Sequence, residues 1–141
     1  PKLMPLGKWR TYVLVGIIWG LWHAPLILAG FNYPGYPILG VFAMMGMTTA
    51  FGCYVNELTL QHRSSILAAW IHGAFNGQFY GIWYVLFPDV HPLLGGVAGL
   101  IGITVWTAVG LAIARKPKVR AQDEPGNLGG RGAKSGQPPF I

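Results

Sequence analysis

Four apolar runs of about 20 residues each dominate this sequence of 141 residues. A run of that length can cross the roughly 30 Å hydrocarbon core of a bilayer as an α-helix, which rises about 1.5 Å per residue. Only 10% of the residues are charged, whereas a soluble domain has roughly 25%. The sequence therefore predicts an all-α polytopic transmembrane helix bundle with four spanning helices, at residues 11–30, 37–56, 65–87 and 93–114.

The basic residues fall on one side of this four-helix arrangement. All ten precede the first run, lie between the second and third, or follow the fourth. By the positive-inside rule, both ends are predicted to be cytoplasmic, in a multi-pass protein of the cell membrane. Residues 1–10 then form a basic juxtamembrane segment, and residues 115–141, rich in Gly, Pro and charge, a disordered tail. This topology accounts for the net charge of +6, so the lipid bilayer is the predicted partner and no nucleic acid is.

Glycines at four-residue spacing predict where helices approach one another closely. The first run contains Gly16 and Gly20, and the third contains the ridge Gly73, Gly77 and Gly81. Small residues at this spacing let two helix backbones come together in a membrane. We expect a neighbouring helix to pack against each set.

Other residues predict helix ends and bends. Pro25 lacks a backbone N–H and should kink the first helix just past His23. Ser64 and Ser65 suit the N-cap of the third helix. Glu57 is assigned to the loop that precedes them.

Two histidines lie inside the predicted spans. They are His23 and His72, and Asn76 follows His72 by one turn. An intramembrane ionisable residue is costly, faces the bundle interior and marks a functional site by default. His72 and Asn76 share a helix face, and the two imidazoles should lie at depths within roughly 7 Å of each other. We expect all three to face one cavity, where imidazole can ligate a metal or pass a proton and a carboxamide can stabilise an oxyanion. Trp19, one turn before His23, could shape a pocket, but we interpret it as core packing.

The residues around these side chains resemble two motifs of the CPBP intramembrane proteases. WGLWHAP, ending at Pro25, is similar to the second motif, Phe-x-x-x-His, and SILAAWIHGAFN, ending at Asn76, is similar to the third, His-x-x-x-Asn or Asp. That group includes CAAX prenyl endopeptidases, bacteriocin-processing proteins and lysostaphin-resistance-like proteins. The resemblance implies an intramembrane endopeptidase with His23, His72 and Asn76 as catalytic residues. Its substrate would be a membrane-associated peptide or a prenylated protein. The resemblance also makes zinc a candidate cofactor, with His23 and His72 as candidate ligands.

One expected motif of that family, Glu-Glu-x-x-x-Arg, does not occur. The four acidic residues are Glu57, Asp89, Asp123 and Glu124, and none lies in a predicted span. Because the pKa of water is about 15.7, hydrolysis at neutral pH needs a carboxylate base or a metal. In the family this motif precedes the helix that matches residues 11–30. The expectation is therefore an N-terminally truncated fragment, inactive alone, that works with the missing N-terminal helices of the same protein.

Two other interpretations remain open at this point. The chain could be a non-catalytic scaffold or immunity protein of the same fold. It could also be a membrane subunit that binds haem or a metal, with His23 and His72 as axial ligands.

Overall fold

The computed structural model describes residues 3–115, and every regular element in that range is helical. The prediction of an all-α fold is confirmed. Residues 1–2 and 116–141, and with them nearly all of the predicted tail, lie outside the described residues. After a 3₁₀ turn at Met4–Leu6, the elements are α1 (Lys8–Trp22), α2 (Ala24–Leu28), α3 (Pro37–His62), α4 (Ser65–Gly77), a π-helical segment (Gln78–Trp83), α5 (Tyr84–Leu86) and α6 (Leu100–Ala114).

The longest helix, α3, is the centre of the fold. The backbones of α1, α4 and α6 each approach α3, and within residues 3–115 they do not approach one another. The closest approach is that of α1. A Cβ at Gly16 or Gly20 would lie under 3.0 Å from the backbone of Thr49 or Met45. The prediction that Gly16 and Gly20 receive a neighbouring helix is thus confirmed.

Phe51 of α3 is the residue on which the other helices converge. Its side chain is 2% exposed. Its ring lies 6.2 Å from that of Trp19 in α1, 4.5 Å from Phe75 in α4 and 4.9 Å from Trp106 in α6, centroid to centroid. These rings form an aromatic cluster against α3, and the core also buries apolar side chains such as Ile27, Met44 and Met47.

The outer faces of the same helices are apolar. Side chains at least half exposed include Ile18, Trp22, Ile66, Trp70, Leu100, Ile101 and Val105. In water a continuous surface of this kind would be an aggregation hazard. It is the surface expected of helices that contact lipid.

The predicted boundaries of the spans need correction. Among the described helices, α3 alone has the length and hydropathy of a membrane span, so four spanning helices are not confirmed. The predicted first span is divided at His23, between α1 and α2. The predicted fourth span starts late, because residues 87–99 are irregular and include Gly96 at φ +72°. The resulting α6 has 15 residues, which cover only about 22 Å at the α-helical rise.

The assignment of Glu57 to a loop was wrong. α3 continues past the predicted end at residue 56 as far as His62, since no Gly or Pro interrupts the sequence ELTLQH. Arg63, in the left-handed conformation with φ +50°, ends the helix. Ser64 then caps α4, as predicted, by accepting a hydrogen bond from the N–H of Leu67 over 3.2 Å.

The ridge of Gly73, Gly77 and Gly81 does not have the predicted neighbour. A Cβ at any of the three would meet no atom of the described residues within 4 Å. The reason is the orientation of α4, which turns Phe75 rather than the glycines towards α3.

Candidate functional site

His23 is positioned by the helix break that Pro25 causes. Its backbone N–H bonds to the carbonyl of Gly20 over 3.1 Å instead of continuing the α-helical pattern to Trp19. The imidazole of His23 bonds instead to the carbonyl of Trp19, with Nδ1 2.8 Å from the oxygen. A carbonyl oxygen can only accept, so Nδ1 carries the proton and Nε2 of the neutral ring is left with a lone pair.

His72 and Asn76 are hydrogen-bonded to each other on one face of α4. Nδ2 of Asn76 lies 3.3 Å from Nε2 of His72. An amide NH₂ group can only donate, so Nε2 of His72 accepts and its Nδ1 carries the proton. Four-residue spacing on an α-helix makes this contact, as the sequence predicts.

Trp19 contacts both histidines. Its ring lies 5.2 Å from that of His72, edge to face, and 6.3 Å from that of His23. The indole therefore lies beside both imidazoles, in addition to packing on Phe51 in the core. The sequence interpretation favours core packing for Trp19 over shaping a pocket, and the structure shows Trp19 both in the core and in the cavity lining.

A single cavity brings His23, His72 and Asn76 together. It lies between α1, α3 and α4, has a volume of about 40 Å³, and is also lined by residues of α3 such as Thr48. One water needs roughly 10–15 Å³ of such space, so the cavity has room for water beside the imidazoles. The hydroxyl proton of Thr48 is not available to it, because it is shared between backbone carbonyls of α1 and α3, at Gly16 and Met44.

Two further polar residues of this cavity escaped the sequence reasoning. They are Asn32, in the turn between α2 and α3, and Tyr80, in the π-helical segment. The hydroxyl of Tyr80 donates to Oδ1 of Asn32 over 3.0 Å. In the sequence Asn32 has only the signature of a turn residue. Its contact with Tyr80 joins residues 48 positions apart, so no local pattern predicts it.

Neither carboxylate of the described residues lies at the cavity. Glu57 is buried against Tyr12 and Lys8 near the start of α1, and Asp89 is exposed in the loop after α5. Neither lines the cavity. Residues 3–115 therefore bring imidazole and carboxamide groups to it without an acid.

The donor set of this part of the chain does not make a zinc site. Within residues 3–115 no three His, Cys, Asp or Glu side chains are close enough together to hold a metal, whereas catalytic zinc usually has three protein ligands. Of the two candidate ligands, His72 has its Nε2 lone pair engaged by Asn76. The groups at the cavity can hold a water molecule and a substrate amide by hydrogen bonds.

The comparisons with known proteins gave one match. No curated protein and no solved structure matches the chain. Residues 1–78, more than half of the sequence, match the type II CAAX prenyl endopeptidase Rce1-like family. The matched range contains His23, His72 and Asn76, and the match confirms the resemblance to the CPBP proteases. The chain thus belongs to the type II CAAX prenyl endopeptidase Rce1-like family, a family of membrane-embedded proteases.

Proposed function

We propose that this chain forms part of an intramembrane endopeptidase that cleaves a peptide bond in a prenylated, CAAX-type protein. The observation that supports the proposal is the shared cavity of His23, His72 and Asn76. It places two imidazoles and a carboxamide next to a space large enough for water, and all three fall within the range that matches the protease family.

The proposed reaction is hydrolysis. A water oxygen bonds to the carbonyl carbon of the peptide, the C–N bond breaks, and the proton lost by water ends on the leaving amine. His23 receives a hydrogen bond from the water at Nε2, the nitrogen that the Trp19 carbonyl leaves free. Asn76 uses the second N–H of its amide to orient the substrate, while His72 accepts the first.

The base in this proposal is a carboxylate from outside residues 3–115. Glu57 is unsuited to the role, since its carboxylate already accepts from Tyr12 and pairs with Lys8 away from the cavity. We propose that further helices of the same protein supply the acid and close the cavity. On this basis the 141 residues alone hydrolyse no peptide.

We also propose a multi-pass arrangement in the cell membrane with the basic ends in the cytoplasm. The exposed apolar faces of α1, α4 and α6 support lipid contact. The pairing of Lys8 with Glu57 brings the start of α1 beside the end of α3, so Lys8, Arg10 and Arg63 share one end of the bundle. That clustering is what the positive-inside rule expects of a cytoplasmic side.

The test is an activity assay on the protein expressed with its natural upstream coding region, reconstituted in vesicles. The probe is a farnesylated CAAX peptide whose cleavage is followed by release of the C-terminal tripeptide. His72→Ala and His23→Ala should each lower kcat/KM by at least about 100-fold, the scale of a lost acid-base or orienting group. His62→Ala is the matched control, because His62 is exposed at the end of α3, and it should keep the parent activity.

Two results would contradict the proposal. One is full activity of both cavity variants at equal expression. The other is cleavage by the 141 residues alone, which would mean that the base lies within this sequence.

The non-catalytic alternative has one observation in its favour, the lack of a carboxylate at the cavity among residues 3–115. The same assay decides it, because a scaffold of this fold would cleave nothing with any upstream segment. The haem alternative receives no support from the geometry. Trp19 lies against both imidazoles, and a cavity of about 40 Å³ has no room for a porphyrin between them.

A further inference from the structure

Asn32 holds an unusual position for a residue with a side chain. It lies in the turn between α2 and α3 with φ +64°, a left-handed conformation in which Asn is tolerated better than most residues other than Gly. Its side chain lines the cavity of His23, His72 and Asn76. A glycine would satisfy the turn without strain, so the conformation does not explain why a carboxamide is there.

Tyr80 fixes which way that carboxamide points. Its hydroxyl donates to Oδ1 of Asn32 over 3.0 Å, so the NH₂ group is turned away from Tyr80. Nδ2 of Asn32 has no hydrogen-bond partner within residues 3–115. This atom is not buried, since this part of the chain contains no buried side-chain nitrogen or oxygen without a partner. Both N–H bonds of a residue that lines the cavity are therefore without a partner in this part of the chain.

The π-helical segment explains how Tyr80 reaches this site. On a regular α-helix each step of four residues turns the side chain about 40° further round the axis. A π turn takes more residues than an α turn, so the rotation about the helix axis from Asn76 to Tyr80 is smaller than on a regular α-helix. Tyr80 consequently stays on the face of His72 and Asn76, where it meets the turn that contains Asn32.

Asn76 differs from Asn32 in the state of its donors. The Nδ2 atom of Asn76 is engaged by His72 over 3.3 Å, whereas that of Asn32 is unengaged within the described residues. Of the two carboxamides, Asn32 is the one with its full donor capacity pre-oriented and free. Donors fixed before the reaction are those that stabilise developing charge best.

We infer that Asn32 is a catalytic residue whose Nδ2 donates to the carbonyl oxygen of the scissile peptide as negative charge develops on it, with Tyr80 as its positioning residue. The inference rests on the proposed function and concerns the same cavity. It adds a second carboxamide donor to the groups that the motif residues His23, His72 and Asn76 bring to the cavity.

The experiment measures kcat and KM separately for Asn32→Gly and Asn32→Asp, in the protein with its natural upstream region and with the farnesylated peptide. Glycine accepts the φ of this turn, and aspartate keeps an acceptor for Tyr80, but neither has the N–H donor. Each variant should lose about 100-fold in kcat, the effect of removing one oxyanion donor, with KM within about threefold of the parent. Equal thermal midpoints in detergent would show that both variants fold.

Tyr80→Phe tests the positioning role. It should lower kcat less than Asn32→Gly does, and the double variant should be no slower than Asn32→Gly, because Tyr80 acts only through the amide. Tyr84→Phe is the matched control, since the side chain of Tyr84 is 72% exposed. Additive losses in the double variant would overturn the positioning role.

The remaining outcomes separate this inference from the proposed function. Parent-like kcat in Asn32→Gly, or a loss confined to KM, would overturn the role of Asn32 while an inactive His72→Ala left the protease assignment standing. If His72→Ala were active as well, the proposed function itself would fail.

Discussion

The hydroxyl of Tyr12, near the start of α1, donates a hydrogen bond over 3.1 Å to Oε1 of Glu57, near the end of α3. The ammonium of Lys8 pairs with the same oxygen, and Gln61 donates to Oε2 over 3.5 Å. Glu57 is only 3% exposed, so its charge depends on these partners. The cluster ties the N-terminal end of α1 to the C-terminal end of α3 and so fixes the register in which Trp19 and His23 meet α3.

Lys8→Met should destabilise the protein more than Tyr12→Phe. Loss of Lys8 leaves a buried carboxylate without its counter-ion, and breaking such a pair costs about 3 kcal/mol. Loss of the Tyr12 hydroxyl removes one hydrogen bond to that carboxylate and costs about 1.5 kcal/mol. Unfolding in detergent measures both, and Arg10→Met, at an exposed position of the same helix, should change little. A Lys8→Met variant as stable as Arg10→Met would mean that the cluster contributes nothing.

Gly20→Ala should weaken the packing of α1 on α3. The added methyl would lie under 3.0 Å from backbone atoms of Met45, so the helices must move apart, at a cost of about 1–3 kcal/mol. Gly52→Ala is the control within α3. Its methyl would meet Trp19 and Asn56 at the ordinary distance of 3.9 Å, and a helical Gly→Ala change gains up to about 1 kcal/mol. The thermal midpoint should therefore fall for Gly20→Ala and not for Gly52→Ala, and equal midpoints would contradict the close approach.

Nitrogen-15 NMR of the imidazoles should show His23 as the Nδ1–H tautomer at a pH where the ring is neutral, because Nδ1 donates to the Trp19 carbonyl. His62, exposed at the end of α3, provides the unconstrained reference in the same spectrum. Pro25→Ala restores a backbone donor and should let the helix continue, so that the His23 N–H takes the Trp19 carbonyl and the Nδ1–H fraction falls. A His23 tautomer mixture equal to that of His62 in the parent protein would refute this arrangement.

Tyr33→Phe should destabilise the turn between α2 and α3 by about 1–3 kcal/mol. The hydroxyl of Tyr33 donates to the carbonyl of Ala98 over 2.7 Å, and the side chain is fully buried. Its loss would leave without this donor the carbonyl of Ala98, a residue that lines the cavity. Tyr84→Phe, at an exposed position, should have no such effect on the free energy of unfolding.

The same tyrosine predicts a dependence on alkaline pH. Burial, and secondly the nearby Tyr80, raise the pKa of Tyr33 above its ordinary value. An unfolded chain would release this proton near pH 10 while the folded protein keeps it. The contribution of Tyr33 to stability is therefore complete below about pH 10 and is lost as the pH rises further. Stability measured from pH 8 to 11 should fall less in Tyr33→Phe than in the parent, and identical slopes would contradict the shift.

The site was predictable where it depended on helical periodicity. His72 and Asn76 lie four residues apart, so the α-helix alone brings them to one face. Pro25 predicts a break beside His23, although which carbonyl orients the ring, that of Trp19, was not predicted. Local geometry of this kind is contained in a few consecutive residues.

Contacts between distant positions were not predictable. Glu57 was assigned to a loop, because no neighbouring residue in the sequence predicts that Lys8 and Tyr12 will bind its carboxylate. Asn32 has only the signature of a turn residue in the sequence, because its partner Tyr80 lies 48 positions away. The predicted start of α6 was too early. Hydropathy shows that the residues after position 93 are apolar, but it does not show whether they are helical or irregular.

The sequence by itself determined that the chain is helical and apolar, and that it carries two histidines and an asparagine at depths that can meet. The reason is that hydropathy, proline and four-residue spacing act within one helix. Only the tertiary structure decided that Trp19 lies beside both imidazoles, that Tyr80 bonds to the amide oxygen of Asn32, and that the glycines of α1 rather than those of α4 pack against α3. These outcomes depend on which faces of several helices pack together, and that choice is made by the whole set of contacts at once.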